Sequence, residues 1–207
     1  MSCNYLFESK KDNRHKVFLS YYHKDDQYYR NRFEELFGHL FLSKSVEPGD
    51  IDADVSTEYI KRLIQKNYIE DTSVLVVLVG PKTYGRKHVD WEISAALNKK
   101  VGGGYSGLLG LCLPTHPDFG KKYINPPAID LILSLPTHPD YGKDKYNADV
   151  VPQRLVDNLK SGYAKFYDWT EEEAKIKKWI EEAFQARINK AGKIDNSREQ
   201  FKYNRCE

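Results

Sequence analysis

The sequence lacks the features that mark several large classes of protein. None of its apolar runs approaches the roughly 20 residues that a membrane-spanning helix needs, and its N-terminus has no apolar secretory segment. Its cysteines are few, odd in number and not spaced as a zinc site, which favours free thiols in a reducing compartment (Cys3, Cys112 and Cys206). These absences predict a cytoplasmic protein with no membrane partner.

An excess of one charge is also missing. The 207 residues include 32 Lys and Arg and 30 Asp and Glu, which are interleaved and leave a net charge of +2. Binding to DNA or RNA depends on clustered positive charge, so we expect no nucleic-acid partner. The chain is long enough, and at 40% hydrophobic residues apolar enough, to form one elaborated domain with a buried core.

The common motifs of phosphate, nucleophile and zinc chemistry do not occur. There is no GxGxxG after a predicted strand, no P-loop, no GxSxG and no HExxH. The one glycine run, residues 102–104, follows a predicted helix and is typical of a helix end rather than a phosphate-binding loop. Dinucleotide oxidoreductases, P-loop NTPases and zinc proteases therefore lose support, and we expect neither a bound cofactor nor a metal.

Short apolar segments alternate with amphipathic ones. The clearest strand is SVLVVLVG at residues 73–80, which is β-branched and has no polar alternation, as in the centre of a parallel sheet. Further strands are predicted at residues 16–21, 108–113 and 164–169, and residues 129–135 suit a strand or a helix. This order predicts an α/β fold, a central parallel sheet with helices on both faces.

Capping residues predict where the helices begin. Asp25 and Asp26 are candidate N-caps for the first helix, and Ser56 for the second. A third helix is predicted at residues 88–100. Thr170 and Glu173 have the spacing of a capping box for the last helix, whose inner face would hold Ile176, Ile180, Ala183, Phe184 and Ile188. We expect a flexible segment at residues 1–15, one domain at 16–190 and a polar tail at 191–207.

One internal repeat stands out. The segment LPTHPDFGK at residues 113–121 recurs as LPTHPDYGK at residues 135–143. Proline and glycine predict that both copies are turns, and two copies are too few for a solenoid. A metal site is the alternative, because histidines and aspartates recur in both copies (His116, Asp118, His138 and Asp140), but no further carboxylates cluster with them.

The expected fold predicts where a ligand binds. In open parallel sheets, ligands bind outside the carboxyl ends of the strands, here at the loops after residues 21, 80 and 113. The helix that follows the central strand carries Glu92 at the edge of its apolar face, one turn before Ala96. A carboxylate there can be half-buried beside a ligand, although an ordinary surface glutamate fits the pattern as well.

The order of four segments resembles TIR domains. KVFLSYYHKDD at residues 16–26 is similar to their first strand and loop, and residues 56–83 to the next unit. Trp91, Glu92 and Ile93 fall where TIR-like proteins have their glutamate. Residues 151–169 resemble the closing segment of the bacterial branch that includes the TIR subunit of Thoeris anti-phage systems. The resemblance covers roughly residues 16–190 and implies a flavodoxin-like or TIR-like sheet.

The resemblance implies an enzyme that consumes NAD. The family's glutamate corresponds to Glu92, which would stabilise positive charge on the ribose as the nicotinamide–ribose bond breaks. The product would be ADP-ribose or a cyclic or conjugated derivative, made with NAD as substrate and with no cofactor. The residues expected to line the substrate site are Ser20, Tyr21, Tyr22, His88 and Trp91.

The same resemblance implies partners and leaves alternatives. Catalytic TIR domains commonly self-associate, with the loop at residues 47–55 completing a neighbour's site, and Thoeris proteins reach a separate effector through a diffusible nucleotide signal. One alternative is a TIR-type interaction module without catalysis. Another is a nucleoside deoxyribosyltransferase, which has a similar architecture and a glutamate nucleophile.

Overall fold

Five parallel strands form the centre of the protein in the computed structural model, which describes residues 14–45, 58, 64–99, 104–121 and 147–206. The strands are β1 (Lys16–Ser20), β2 (Leu42–Lys44), β3 (Val74–Val79), β4 (Gly107–Cys112) and β5 (Lys165–Asp168). The α-helices are α1 (His23–Phe37), α2 (Lys87–Ala96), α3 (Gln153–Lys160) and α4 (Glu173–Asn189). A wide helical turn, Ile64–Ile69, precedes β3.

The strand order is β2-β1-β3-β4-β5, and every neighbouring pair is parallel. This is the flavodoxin-like order, so the predicted fold class is confirmed. The chain leaves β1 toward one edge of the sheet and β3 toward the other. A crevice therefore opens between the loops that follow these two strands, at the topological switch point.

Helices cover both faces of the sheet. Val74, Val76 and Leu78 of β3 pack with α1 and α4, while the alternate residues of the same strand pack with α2 and α3. All six residues of β3 are buried. The strand can therefore be apolar at every position, and this continuous apolar run is the pattern that predicted a central strand.

Helix α1 begins earlier, and helix α4 later, than their capping signals predicted. Tyr22 is the N-cap of α1, so Asp25 and Asp26 lie within its first turn rather than before it. Helix α4 begins at Glu173, because Thr170 Oγ1 accepts the Glu172 amide in a local turn ahead of the helix. The predicted inner face of α4 is also wrong at its last position, since Ile188 is 62% exposed.

Several elements differ from the sequence expectation or were not predicted. Helix α2 ends at Ala96 instead of residue 100, because the Ala96 carbonyl accepts the Ser106 amide as the chain turns into β4. Helix α3, with Pro152 at its N-cap, and the three-residue edge strand β2 were not predicted at all. Both are short, and tertiary contacts stabilise short elements more than local propensity does.

The C-terminal segment, residues 191–206, folds back onto helix α2. Its composition predicted a polar tail, yet Phe201 is 4% exposed. The Trp91 indole donates a hydrogen bond to the Phe201 carbonyl at 2.8 Å. The predicted domain boundaries stay a prediction. Within the described ranges, no helix has the length and apolarity to cross a membrane.

The first copy of the repeat is a turn anchored to the segment before α3. The buried His116 ring has Nε2 3.0 Å from the Val150 carbonyl oxygen, and Asp118 accepts the Asn147 amide. Other sequence predictions lie outside the described residues: the Ser56 cap, the strand or helix at 129–135, the second repeat copy with His138 and Asp140, the glycines at 102–103, Cys3 and the loop at 47–55.

Candidate active site

A cavity of about 320 Å³ lies at the switch point of the sheet. Its walls come from the start of α1, the start of α2 and the C-terminal segment, which are far apart in sequence. The lining residues are Tyr21, Tyr22, His23, Arg86, His88, Val89, Glu92 and Asn204. The volume is near the lower end of the range of about 300–1,000 Å³ for ligand pockets.

Glu92 is a buried carboxyl group in the wall of this cavity. It is 4% exposed, and the Ser20 hydroxyl donates a hydrogen bond to its Oε2 at 2.5 Å. Burial raises the pKa of Glu92 to about 8, and the Ser20 hydrogen bond only partly opposes that rise. At neutral pH the carboxyl group is mostly protonated, and a cation placed beside it would favour its ionised form.

Most of the predicted site residues come together here. Ser20, at the end of β1, is 1% exposed and reaches the cavity through its bond to Glu92. Tyr21 is 3% exposed, stacks on His23 with 4.4 Å between ring centroids, and donates from its hydroxyl to the side chain of Gln27. The Tyr22 ring is half-buried and lines the same space.

His88 and Trp91 have different surroundings. His88 stands at the exposed rim, where desolvation of its ring, and then the neighbouring Lys87 charge, lower its pKa. Trp91 is 1% exposed, and its indole donates to the Phe201 carbonyl of the C-terminal segment. It does not belong to the described lining of the cavity, so its predicted contact with substrate has no support in the geometry.

Arg86 is a lining residue that the sequence analysis missed. It is 9% exposed, and its guanidinium lies 3.6 Å above the centre of the Tyr22 ring. Its Nε and Nη2 atoms are buried and have no hydrogen-bond partner among the described residues. The available signal was a basic residue directly before the helix that follows the central strand.

The loop after β3 is fixed to α1 by a small polar cluster. Thr83 Oγ1 donates to Asp26 Oδ2 at 3.1 Å and accepts the Gly80 amide at 2.9 Å. Burial raises the pKa of Asp26 to about 6, opposed by the Thr83 hydrogen bond. A Cβ atom on Gly80 would lie 2.2 Å from Asp26 Oδ1, so only glycine permits this close approach of strand end and carboxyl group.

A buried ion pair fixes the helix that carries Glu92. Arg154 of α3 donates to both carboxylate oxygens of Asp90 on α2, and these two side chains are 1% and 4% exposed. Asp90 also accepts the Phe201 amide, and Arg154 donates to the Asn196 side chain and the Glu199 carbonyl. The pair thereby joins α2, α3 and the C-terminal segment behind the cavity.

The same segment reaches the mouth of the cavity. The Asn204 side chain accepts the amide of Lys87, the first residue of α2, and the Arg205 amide donates to the Gly85 carbonyl. Asn204 thus caps the helix from outside and lines the cavity at once.

Comparisons with known proteins found one matching family model. Residues 18–118 match the family described as "Thoeris protein ThsB, TIR-like domain", a range that contains Ser20, Arg86 and Glu92. No curated protein matches the sequence significantly. Among solved structures, the TIR domains of the activated Roq1 resistosome, which directly recognises the pathogen effector XopQ, are similar. The identity there is 12%, the coverage 84% of both chains and the TM-score 0.36.

Proposed function

Starting from the match of residues 18–118 to the TIR-like domain of the Thoeris ThsB family, we propose that this protein cleaves the nicotinamide–ribose bond of NAD. Glu92 is the catalytic carboxylate, and the second product is ADP-ribose or a cyclic or conjugated derivative of it. This product acts as a diffusible signal in anti-phage immunity and reaches a separate effector protein.

The observation that best supports the proposal is that the Glu92 carboxyl group is buried in the cavity wall and has a raised pKa. A carboxyl group that is 4% exposed, with a pKa raised to about 8, destabilises the fold at neutral pH. Strongly shifted groups in clefts are concentrated at functional sites. Among the described residues, the Ser20 hydroxyl is the hydrogen-bond donor to Glu92, which leaves carboxylate lone pairs for a ligand.

The chemistry follows from charge. The nicotinamide ring of NAD is cationic, and bond cleavage moves positive charge onto the ribose as neutral nicotinamide leaves. A carboxylate in a poorly hydrated cavity stabilises this developing cation far more than it would in water. The substrate cation itself favours the ionised form of Glu92, so binding of NAD is coupled to loss of the carboxyl proton.

The size of the cavity supports self-association. About 320 Å³ suits the nicotinamide ribose half of a dinucleotide and leaves the adenosine half outside. A second copy of the chain would cover that half, as expected for TIR domains that assemble before they act.

The direct test is nicotinamide release. Purified protein at high concentration is incubated with NAD, with and without lysate from phage-challenged cells, and the second product is identified by mass. We expect release that the Glu92→Gln variant abolishes. Intact NAD under every condition with folded protein would favour a non-catalytic interaction module, and cleavage of deoxynucleosides in its place would favour a deoxyribosyltransferase.

The pH dependence is a second test. Because Glu92 must be ionised to act and has a pKa of about 8, kcat/KM should rise about tenfold per pH unit between pH 6 and 7.5 and level off above 8. In Ser20→Ala the carboxylate loses its hydrogen-bond donor, so its pKa rises and the profile shifts to higher pH. A flat profile from pH 6 to 8 in both proteins would contradict the assignment.

A further inference from the structure

The unpartnered edge of Arg86 is the feature that the proposed cleavage chemistry leaves unexplained. Three other arginines each use Nε and Nη2 to grip both oxygens of one carboxylate: Arg32 with Glu171, Arg154 with Asp90, and Arg198 with Asp157. Arg86 has the same two atoms buried, without a partner among the described residues. Buried donors of this kind cost free energy unless a ligand or water accepts from them.

The surroundings of Arg86 favour an anion. Helix α2 begins at the next residue, and its first-turn residues His88 and Val89 line the same cavity. The N-terminal end of a helix carries partial positive charge, and a planar guanidinium fork matches two phosphate oxygens. Asp26 attracts Arg86 electrostatically, but its hydrogen-bond partner in the cluster described above is Thr83.

We propose that Arg86 and the first turn of α2 form a diphosphate subsite of the cavity, which makes the enzyme select a nucleotide over a nucleoside. This inference rests on the proposed function for its ligand class. Arg86 and Glu92 are six residues apart, roughly 9 Å along a helix axis. Both residues line the same cavity, so we place the ribose between them, with its nicotinamide-bearing carbon toward Glu92 and its phosphate toward Arg86.

Access to the fork requires a local rearrangement. Arg86 Nε and Nη2 are covered, and the Tyr22 ring lies over the guanidinium plane. Tyr22 is half-buried and belongs to the cavity wall, so rotation of its side chain makes room for the incoming phosphate without moving the backbone.

The test measures binding without catalysis. In the Glu92→Gln background, calorimetric titration with ADP-ribose is compared with titration with nicotinamide riboside, which has no phosphate. Arg86→Met keeps the side-chain stem over Tyr22 and should weaken ADP-ribose binding about 10- to 100-fold. Nicotinamide riboside binding should change less than about twofold. Arg86→Lys keeps the charge but loses the two-pronged donor geometry, so its affinity for ADP-ribose should lie between those of the background protein and Arg86→Met.

Arg205→Met is the matched control. Arg205 also lies over an aromatic ring, 3.8 Å from the centre of Phe201, but it does not line the described cavity. The Arg205→Met variant should bind ADP-ribose with the same affinity as the background protein. Thermal melting is used to check that each variant folds.

Two results would overturn the subsite. One is no ADP-ribose binding at millimolar concentration, and the other is an equal loss of both ligands in Arg86→Met, which would mean a structural role. The outcome is separable from the proposed function. If ADP-ribose binding depends on Arg86 but NAD stays intact, the subsite is supported and cleavage is refuted. If NAD is cleaved equally well without the Arg86 guanidinium, cleavage is supported and the subsite is refuted.

Discussion

Replacing Glu92 by glutamine should abolish nicotinamide release and at the same time stabilise the protein. Loss of the carboxylate removes the group that faces the developing ribose cation, which we expect to lower kcat by about 100-fold or more. Stability rises because the carboxyl group is buried, with a pKa of about 8 in place of its ordinary 4.5. At pH 7 that shift corresponds to a cost on the order of 3 kcal/mol.

The sign of the stability effect sets its pH window. Between pH 4.5 and about 8 the folded protein holds a proton on Glu92 that the unfolded chain has lost, so this contribution to stability declines as the pH rises. Thermal melting of both proteins at pH 5, 7 and 8.5 measures it. The melting-temperature gap should be small at pH 5 and grow toward pH 8.5, where it should reach several degrees.

Asp26 is the control for this measurement. Its pKa, raised to about 6, adds a pH-dependent term of the same sign to both proteins and cancels in the comparison. A glutamine variant that is less stable than the parent at pH 8.5 would show that Glu92 is held ionised by the fold, and the proposed link between substrate binding and proton loss would fail.

Arg154→Met should strongly destabilise the protein, although Arg154 does not line the described cavity. It leaves Asp90, 4% exposed, as an uncompensated buried charge. Removing one partner of a buried ion pair typically costs about 3–5 kcal/mol. The Asn196 side chain and the Glu199 carbonyl lose their donor as well, so the C-terminal segment should be held less firmly on α2. Urea unfolding and hydrogen exchange of residues 195–206 measure both effects.

The Arg198–Asp157 pair provides the matched comparison. It has the same two-bond geometry and also joins the C-terminal segment to α3, but its side chains are 36% and 19% exposed. Arg198→Met should therefore cost less than about 1 kcal/mol. Adding Asp90→Asn to Arg154→Met should recover part of the loss. Equal costs for the two single variants would contradict the assignment of the anchor to the buried pair.

The central fold was accessible from the sequence because its signals are local. Strand β3 is apolar at every position, and such a run suits only a strand covered on both faces. The alternation of apolar strands with helices then implied a parallel sheet. The position of Glu92 on the helix after that strand left an ordinary surface glutamate open, and it was the resemblance to TIR domains that identified Glu92 as the candidate catalytic residue.

The remainder was decided by contacts between distant segments. Nothing near Glu92 in sequence reveals that Ser20, on another strand, donates to it, or that burial raises its pKa. In the sequence, Arg86 resembles any basic residue before a helix, and only the fold shows that its Nε and Nη2 atoms are buried. The polar C-terminal segment likewise resembles a tail, and only the fold shows that Arg154 and Trp91 donate hydrogen bonds to its carbonyls. Sequence patterns determined the four longer strands and helices α1, α2 and α4, because propensity and periodicity are local. Burial, pairing and charge state at the site belong to the tertiary structure, because they depend on which groups replace water around each side chain.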